Sequence, residues 1–527
     1  MAPGAGTLFA ALILLFNIPL TATSPPARDL DRGYESLWGE MYISGGWTTL
    51  HISPDFTFTY YRVDGGVIWY VPGAPPIPAL VIPLELEGDI VDVEVRYSGE
   101  TSSTLPDGAI RPLPEPTSHF LRPRAASLEV GGRYPKEDYI LASLGYSHRG
   151  ENRYHAYALV LFPVRYDLQK GTLKTHVKVS YRITFNKGLS PLLPAPTAHP
   201  PEDVLHTVYP SQSPPLALKS FLIWARGEYP GFRYVLLAGD WDKVPVMRVI
   251  DSNPYPGYDD GYIPSDTFYA CLDSDWDEDN DGIYGEMGDL GDIIPDLVVT
   301  RLAINDESRW RAKIEQIKGY ETTPSVGSWP AKALLIGANT HNAGDGEAQS
   351  EYLWDKYLSD VYGTKVPLYE GKGLSRSAIS SNIEQGVGMI NFVDHGGPTV
   401  WCDNYGMGVV YSNSDASARR NLHMEPVVST LACLTTWFDD PSGCSAQNFD
   451  DCIGEAFTEN VNGGSTGYVG SSRTSVGVLG TNSYLPYDNG LQEDFARALT
   501  RIRKPQQHSP GPLSRWSGLR RGSGSRL

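Results

Sequence analysis

Between residues 233 and 470 the chain switches repeatedly between two patterns, and that alternation restricts the folds open to it more than any other feature. One pattern is a short, uniformly apolar run. Tyr234-Val235-Leu236-Leu237-Ala238 ends at Gly239-Asp240, and similar runs fall at 294–299, 333–337, 389–393, 427–431 and 466–470. The other pattern is helical. Trp310, Ile314, Ile317 and Tyr320 share one face of a helix over Asp306 to Thr322, and Leu353, Tyr357, Leu358 and Val361 do so over Glu347 to Tyr362. A strand apolar on both faces has to be covered on both. The alternation therefore predicts an α/β unit with a mainly parallel sheet and helices on both sides. Sites in such sheets form beyond the carboxyl ends of the strands.

The residues before this unit have a different grammar. Phe56 to Tyr60, Val91 to Val95 and His176 to Ile183 alternate with period two, and Gly/Pro clusters such as Pro72-Gly73-Ala74-Pro75-Pro76 punctuate them. This predicts a separate all-β domain, a sandwich or barrel, over 25–187. Its histidines, such as His148 and His155, read as strand-face residues. Prolines recur every few residues from 188 to 215, so this stretch reads as an extended interdomain linker open to nicking. The α/β unit then runs over 216–495, and 496–527 reads as a basic, low-complexity tail.

Residues 1–24 have the shape of a secretory signal, with an apolar core from Leu8 to Phe16 and small residues from Thr21 to Ser24. No later segment is long and apolar enough to cross a bilayer, so an exported, secreted chain, free or held at a cell surface, is expected. A formal charge of −19 argues against nucleic acid as a partner, because phosphate contacts need clustered Lys and Arg. Five cysteines are an odd count for an exported chain. Cys444 and Cys452 are near enough in sequence for a local bridge, but sequence leaves the pairing open.

Two of the apolar runs end in reactive side chains. Met389 to Val393 leads through Asp394 to His395-Gly396-Gly397, and Val427 to Leu431 leads through Ala432 to Cys433. If these runs are neighbouring strands, their ends lie about 5 Å apart. An imidazole there can take the thiol proton and later protonate a leaving amine. Gly396 lets its N–H approach a substrate oxygen without a Cβ in the way, and with the Cys433 N–H it makes a candidate oxyanion pair.

An apolar strand ending in His-Gly, followed by one ending in Ala-Cys, resembles the gingipain-type cysteine peptidases and their caspase-like relatives. Tyr234 to Asp240, Ile294 to Leu302, Ile317 to Glu321, Cys452 to Phe457 and Asn462 to Ser472 resemble family segments in family order. The resemblance implies a caspase-like fold and endopeptidase action on polypeptide substrates, with Cys433 as nucleophile and His395 as general base. It implies a zymogen, whose β domain resembles the family's prodomain and would serve as its inhibitor. It also implies cleavage after Arg or Lys, with Glu315 falling where the pocket acid would lie and Asn305 or Asp306 near the third, orienting acid. Two departures accompany the likeness. The strand–helix–strand section that usually opens the catalytic domain is missing before Leu216, and similarity fades after Phe495. These departures motivate the rival expectation, a catalytically inactive surface or binding protein on a peptidase scaffold. A transpeptidase is a third reading, since an acyl-enzyme can be attacked by an amine.

The remaining loud feature is acidic. Ten Asp or Glu fall between Asp273 and Asp296. Asp277, Asp279, Asp281 and Gly282 match the start of a calcium loop, with oxygens at alternate positions and then a glycine for the turn. Gly288 stands where the closing Glu belongs, which leaves Glu286 or Asp289 to complete the shell. A structural Ca2+ held by Asp277, Asp279, Asp281 and Glu286 is the expectation.

Overall fold

The computed structural model describes residues 27–29, 34–53, 56–69, 74–106, 117–118, 132–149, 152–186, 213–229, 231–251, 260–274, 276–286, 289, 294–340, 345–403, 408–440, 442, 449–477 and 488–503. The signal-like segment, most of the linker, Cys444 and residues 504–527 lie outside them.

The amino-terminal region is antiparallel β throughout. In a six-stranded sheet Thr172–Asn186 pairs with Tyr34–Tyr42, Ile90–Thr104 and Val164–Asp167, and a four-stranded sheet runs Tyr139–Arg149, Asn152–Leu161, Ile77–Leu86, Val67–Trp69. Period two decides which side chains go inside. Along Thr172–Asn186, Leu173, Val179, Tyr181, Ile183 and Phe185 are buried, while Lys174, Lys178 and Arg182 point out to Glu100, Glu40 and Glu94. His155 is a hydrogen-bonded strand residue, with Nδ1 2.6 Å from Asp89 Oδ1 and Nε2 2.7 Å from Ser143 Oγ.

The carboxyl-terminal region is built on a five-stranded parallel sheet in the order Thr364–Tyr369, Lys332–Gly337, Met389–Val393, Val427–Leu431, Gly467–Val469. On one face Leu334, Ile336, Ile390 and Phe392 pack with Ile379 and Ile383 of the helix Arg376–Glu384 and with Phe457 of the helix Ile453–Thr458. On the other, Ala333, Leu335 and Met389 meet Leu353 of the helix Asp345–Lys356 and Ala496 of the helix Asp488–Arg503. That last helix runs into the stretch read as tail. It is anchored by Ala496 and by Gln492, whose Nε2 donates to Asn391 Oδ1 at 3.0 Å.

Two expectations are corrected. The runs at 234–238 and 294–299 do not join the large sheet. Tyr234–Ala238 and Val298–Leu302 form their own two-stranded parallel pair. The helix Pro214–Glu228 covers one face of this pair through Leu222, whereas Tyr234, Leu236 and Val298 on the other face are 78 %, 52 % and 59 % exposed. The helix Glu307–Thr322 forms as the spacing predicts, with Asp306 as its N-cap accepting from Arg309 N, but its burial is inverted. Lys313 and Gln316 are buried, and Ile314 and Ile317 are exposed. Gln316 sets this rotation. Its Nε2 donates to Glu425 Oε1 and to the carbonyls of Asn460 and Gly463, all within 3.2 Å. Ile317 and Tyr320 of the stripe, with Lys313, Gln316 and Phe438, line part of a cavity of about 850 Å3 between Val298–Leu302 and Gly467–Val469.

Candidate active site

The parallel ladder pairs Met389 with Val427 and Val393 with Leu431, and Asp394 N continues it by donating to Leu431 O at 3.2 Å. His395 and Cys433 each stand two residues beyond the last registered pair. Both runs end in step, so the two residues stand at the carboxyl edge of the sheet, just past adjacent strands. Gly396 lies against the backbone of Cys433, and a Cβ there would stand 2.5 Å from the Cys433 carbonyl oxygen and 2.7 Å from Thr435 Cγ2. Only glycine fits that approach.

His395 opens the strand His395–Gly397, which pairs antiparallel with Val400–Asp403. Trp401 anchors this ribbon. Its ring stacks on Phe392 at 4.6 Å, and its Nε1 donates to Tyr468 Oη at 2.9 Å. The imidazole is fully buried, and its Nε2 lies 3.1 Å from the Thr340 carbonyl oxygen. A neutral ring that donates Nε2–H there carries its lone pair on Nδ1. Thr340 is itself held, since its N–H donates to Asp345 Oδ1 at 2.8 Å and the Gly346 N–H donates to the same oxygen at 2.9 Å. Burial lowers the His395 pKa below its ordinary 6.5, while the Thr340 carbonyl and the charges of Asp345 and Asp403 work in the opposite direction. Burial also pushes the neighbouring Asp394 carboxyl far above the usual range, with Asp345, Asp403 and Glu370 adding to the shift.

Cys433 is fully buried too. Its Sγ accepts from Ser475 N at 3.3 Å and lies 3.7 Å from Ser475 O. The next residue, Leu434, has φ +63°, a strained setting for a branched side chain. Leu434 N donates to Arg473 O and Thr436 N to Ser471 O, so segment 471–475 runs along the nucleophile loop. It is fixed by a buried two-pronged ion pair, Arg473 Nη1 and Nη2 to Asp439 Oδ1 and Oδ2 at 2.8 and 2.7 Å, with the guanidinium 3.8 Å above the Trp437 ring. Immediately after it, Val476–Gly477 pairs antiparallel with Thr117–Ser118 of the amino-terminal region.

The other residues singled out by sequence lie elsewhere. Glu315 stands on the exposed face of its helix, 2.6 Å from Lys318 Nζ and outside the lining of the cavity. The rotation set by Gln316 turns it to solvent. Asn305 bonds Asp240 N and Asp242, Asp306 caps its helix, and neither holds His395. The group on the imidazole is a backbone carbonyl, that of Thr340, and no side-chain motif announces a carbonyl. Ser475, Arg473 and Asp439 were equally silent, because their roles depend on contacts across 34 residues or more. Cys452 N-caps its helix, accepting from Glu455 N at 3.4 Å. Asp277, Asp279 and Asp281 offer oxygens within 4.8 Å of one another, and Asp279, Glu286 and Asp289 do the same. Burial raises the Glu286 carboxyl, helped by Asp281, Asp289, Asp279 and Asp277.

Residues 200–515 match Peptidase family C25. The chain is 27 % identical over 281 residues to Lys-gingipain HG66 and to Lys-gingipain of Porphyromonas gingivalis, a match covering 49 % of this chain and 15 % of each relative. It thus spans a small part of the length of these relatives. Among solved structures, the crystal structure of the Arg-specific cysteine proteinase gingipain R matches at 17 % identity and TM-score 0.35, over 50 % of this chain and 54 % of that one. The complex of the RgpB pro- and mature domains of Porphyromonas gingivalis matches at 17 % and 0.39, over 57 % and 60 %. With the family match covering more than half of its residues, the chain belongs to Peptidase family C25.

Proposed function

We propose that this chain is an exported cysteine endopeptidase of caspase-like design, made as a zymogen and working through His395 and Cys433. The observation that supports the reading is the in-step ending of the two central strands, with His395 two residues past one, Cys433 two residues past the other, and Gly396 against the Cys433 carbonyl. In this mechanism His395 Nδ1 takes the thiol proton and Sγ attacks the substrate carbonyl carbon. The Gly396 and Cys433 N–H groups hold the oxyanion, and His395 returns the proton to the leaving amine as the C–N bond breaks. Water, deprotonated by the same imidazole, then cleaves the thioester and releases the acid. Of the expected preference for Arg or Lys before the scissile bond, kinship with the Lys-gingipains supports Lys. Glu315 would need the helix Glu307–Thr322 to turn before its carboxylate served that pocket.

Latency follows from the contact on the nucleophile. Ser475 covers Sγ, and the strand after it is paired with the β region. A site-specific protease sequence placed in the 188–215 linker tests this. Cutting it is expected to raise labelling of Cys433 by a thiol-directed acyl probe and to start peptide hydrolysis. A folded, cut chain that neither labels nor hydrolyses supports the inactive scaffold instead, a reading favoured by the full burial of Cys433. Peptide acids alone as products, with amine added, would set aside the transpeptidase.

Asp345 positions His395 through Thr340. In the released enzyme Asp345→Ala is expected to lower kcat by up to about 100-fold with little change in KM, the cost of a misplaced catalytic group. Asp345→Asn keeps an acceptor for the Thr340 N–H but removes a charge that raises the His395 pKa. The acid limb of its kcat/KM profile should therefore move to lower pH. An unmoved limb would mean that Asp345 does not act on the imidazole.

Of the four acids expected to hold Ca2+, Asp277, Asp279 and Asp281 stand together and are proposed to bind it, since hard oxygen donors without His or Cys suit that ion, whereas Glu286 stands with Asp279 and Asp289 instead. At a hundredfold excess over Kd, calcium should add about 2.7 kcal/mol of stability. Chelation is expected to lower Tm by a few degrees, and magnesium at equal concentration to restore little of it. An unchanged Tm after chelation would dismiss the site.

A further inference from the structure

The acidic loop divides its carboxylates between two nests. Asp277, Asp279 and Asp281 form one, Asp279, Glu286 and Asp289 the other, and only Asp279 belongs to both. Calcium oxygens stand about 2.3–2.6 Å from the ion, so ligands of one ion lie within about 5 Å of each other. All five acids do not meet that condition together. A single ion, as proposed above, leaves part of the cluster unneutralised.

Asp289 is the independent observation that points to a second ligand. It is 4 % exposed, and its Oδ2 meets no hydrogen-bond donor. Among the described residues no Lys or Arg pairs with it. A carboxylate removed from water in this way is stable only if protonated, paired or bound to metal. Its nest partners are the acids Asp279 and Glu286, so the group that relieves it must be a cation or a proton.

The loop is held in shape by its own packing. Trp276 is buried edge-on against Phe268 at 5.7 Å, and Gly285 N donates to Trp276 O at 2.8 Å. Gly285 has φ +80°, and a Cβ on it would stand 2.9 Å from Val249 Cβ, so the turn before Glu286 is seated tightly against the strand Met247–Ile250. In the first nest Gly282 N donates to Asp277 at 3.2 Å and Ile283 N to Asp281 Oδ1 at 2.8 Å. The first nest and the turn leading to Glu286 are thus held by packing and backbone hydrogen bonds.

We infer that this loop is a two-ion site, with one Ca2+ held by Asp277, Asp279 and Asp281, a second held by Asp279, Glu286 and Asp289, and Asp279 bridging them. The second ion ties the loop to the segment leading into the neighbouring strand. There Asp296 accepts from Leu272 N at 2.9 Å, its own N–H donates to Ala270 O, and the chain enters the strand Val298–Leu302.

The test is calcium stoichiometry on the full chain, stripped with chelator, reloaded with CaCl2 and separated from unbound ion before elemental analysis. Two ions per chain are expected for the wild type, one for Asp289→Asn, one for Asp281→Asn and none for Asp279→Asn. One ion or none in the wild type overturns the proposal, as does a folded Asp289→Asn that keeps both. Terbium luminescence excited through the loop's Trp276 gives a second reading on unaltered protein. Two successive steps in the titration support two sites, and a single step to one equivalent refutes them. Neither measurement depends on peptidase activity, so a dead dyad and a missing second ion give separate results.

Discussion

In the released enzyme, Cys433→Ala is expected to lower kcat/KM for peptide hydrolysis by about 10^4-fold or more, because no other group at the strand ends can form the acyl-enzyme. His395→Ala removes the base and should cost about 10^2–10^4-fold. Both side chains are small parts of a packed edge, so circular dichroism and Tm of Cys433→Ala should match the wild type closely. The pH profile supplies a second check. Burial depresses the His395 pKa, so the imidazole is neutral, and competent as a base, down to a pH below 6.5. The acid limb of kcat/KM should accordingly lie below that value. Retained hydrolysis in Cys433→Ala would remove the dyad mechanism outright.

The largest structural effect is expected from Asp439→Ala. The Asp439 and Arg473 side chains are 1 % and 3 % exposed. Deleting the carboxylate leaves a buried guanidinium whose nearest remaining acid is Asp260 at 3.6 Å. Breaking one half of a buried pair costs about 3–5 kcal/mol, whereas replacing both halves with apolar groups of similar volume often costs little. Asp439→Ala should therefore lower the urea midpoint strongly, and Asp439→Leu combined with Arg473→Met should recover most of the loss. Because Arg473 holds the segment that carries Ser475 over Cys433, Asp439→Ala should also speed reaction of Cys433 with a small disulfide reagent. An unchanged midpoint together with an unchanged thiol rate would show that the pair neither stabilises the loop nor covers the nucleophile.

Much of the site was legible because strand ends are legible. An apolar run has a length set by the sheet it crosses, so the residues just past its end stand at the sheet edge whatever the rest of the fold does. His395, Gly396 and Cys433 were singled out in this way, and all three stand just past the two central strands. The helix Glu307–Thr322 was legible as a helix but not in its rotation. Ile314 and Ile317 mark a stripe, and burial by the Gln316 and Lys313 face could not be anticipated from spacing alone. Glu315 was misplaced for the same reason. The buried Gln316 amide nitrogen lies within 3.2 Å of three acceptors, Glu425 Oε1 and the carbonyls of Asn460 and Gly463, and partners so far along the chain cannot be read from helical spacing.

By itself the sequence determined the local matters: roughly where most of the strands lie, where the acidic loop turns at Gly282, and which two strand ends carry an imidazole and a thiol. Those depend on periodicity, backbone sterics and side-chain chemistry, all written within a few residues. Only the tertiary structure decided that the Tyr234–Ala238 pair stands apart from the main sheet, that a Thr340 carbonyl holds the imidazole, and that Ser475 covers the thiol. Each of these depends on a hydrogen bond or a packing choice between segments 40 or more residues apart. Such contacts leave no period and no motif in the chain that makes them.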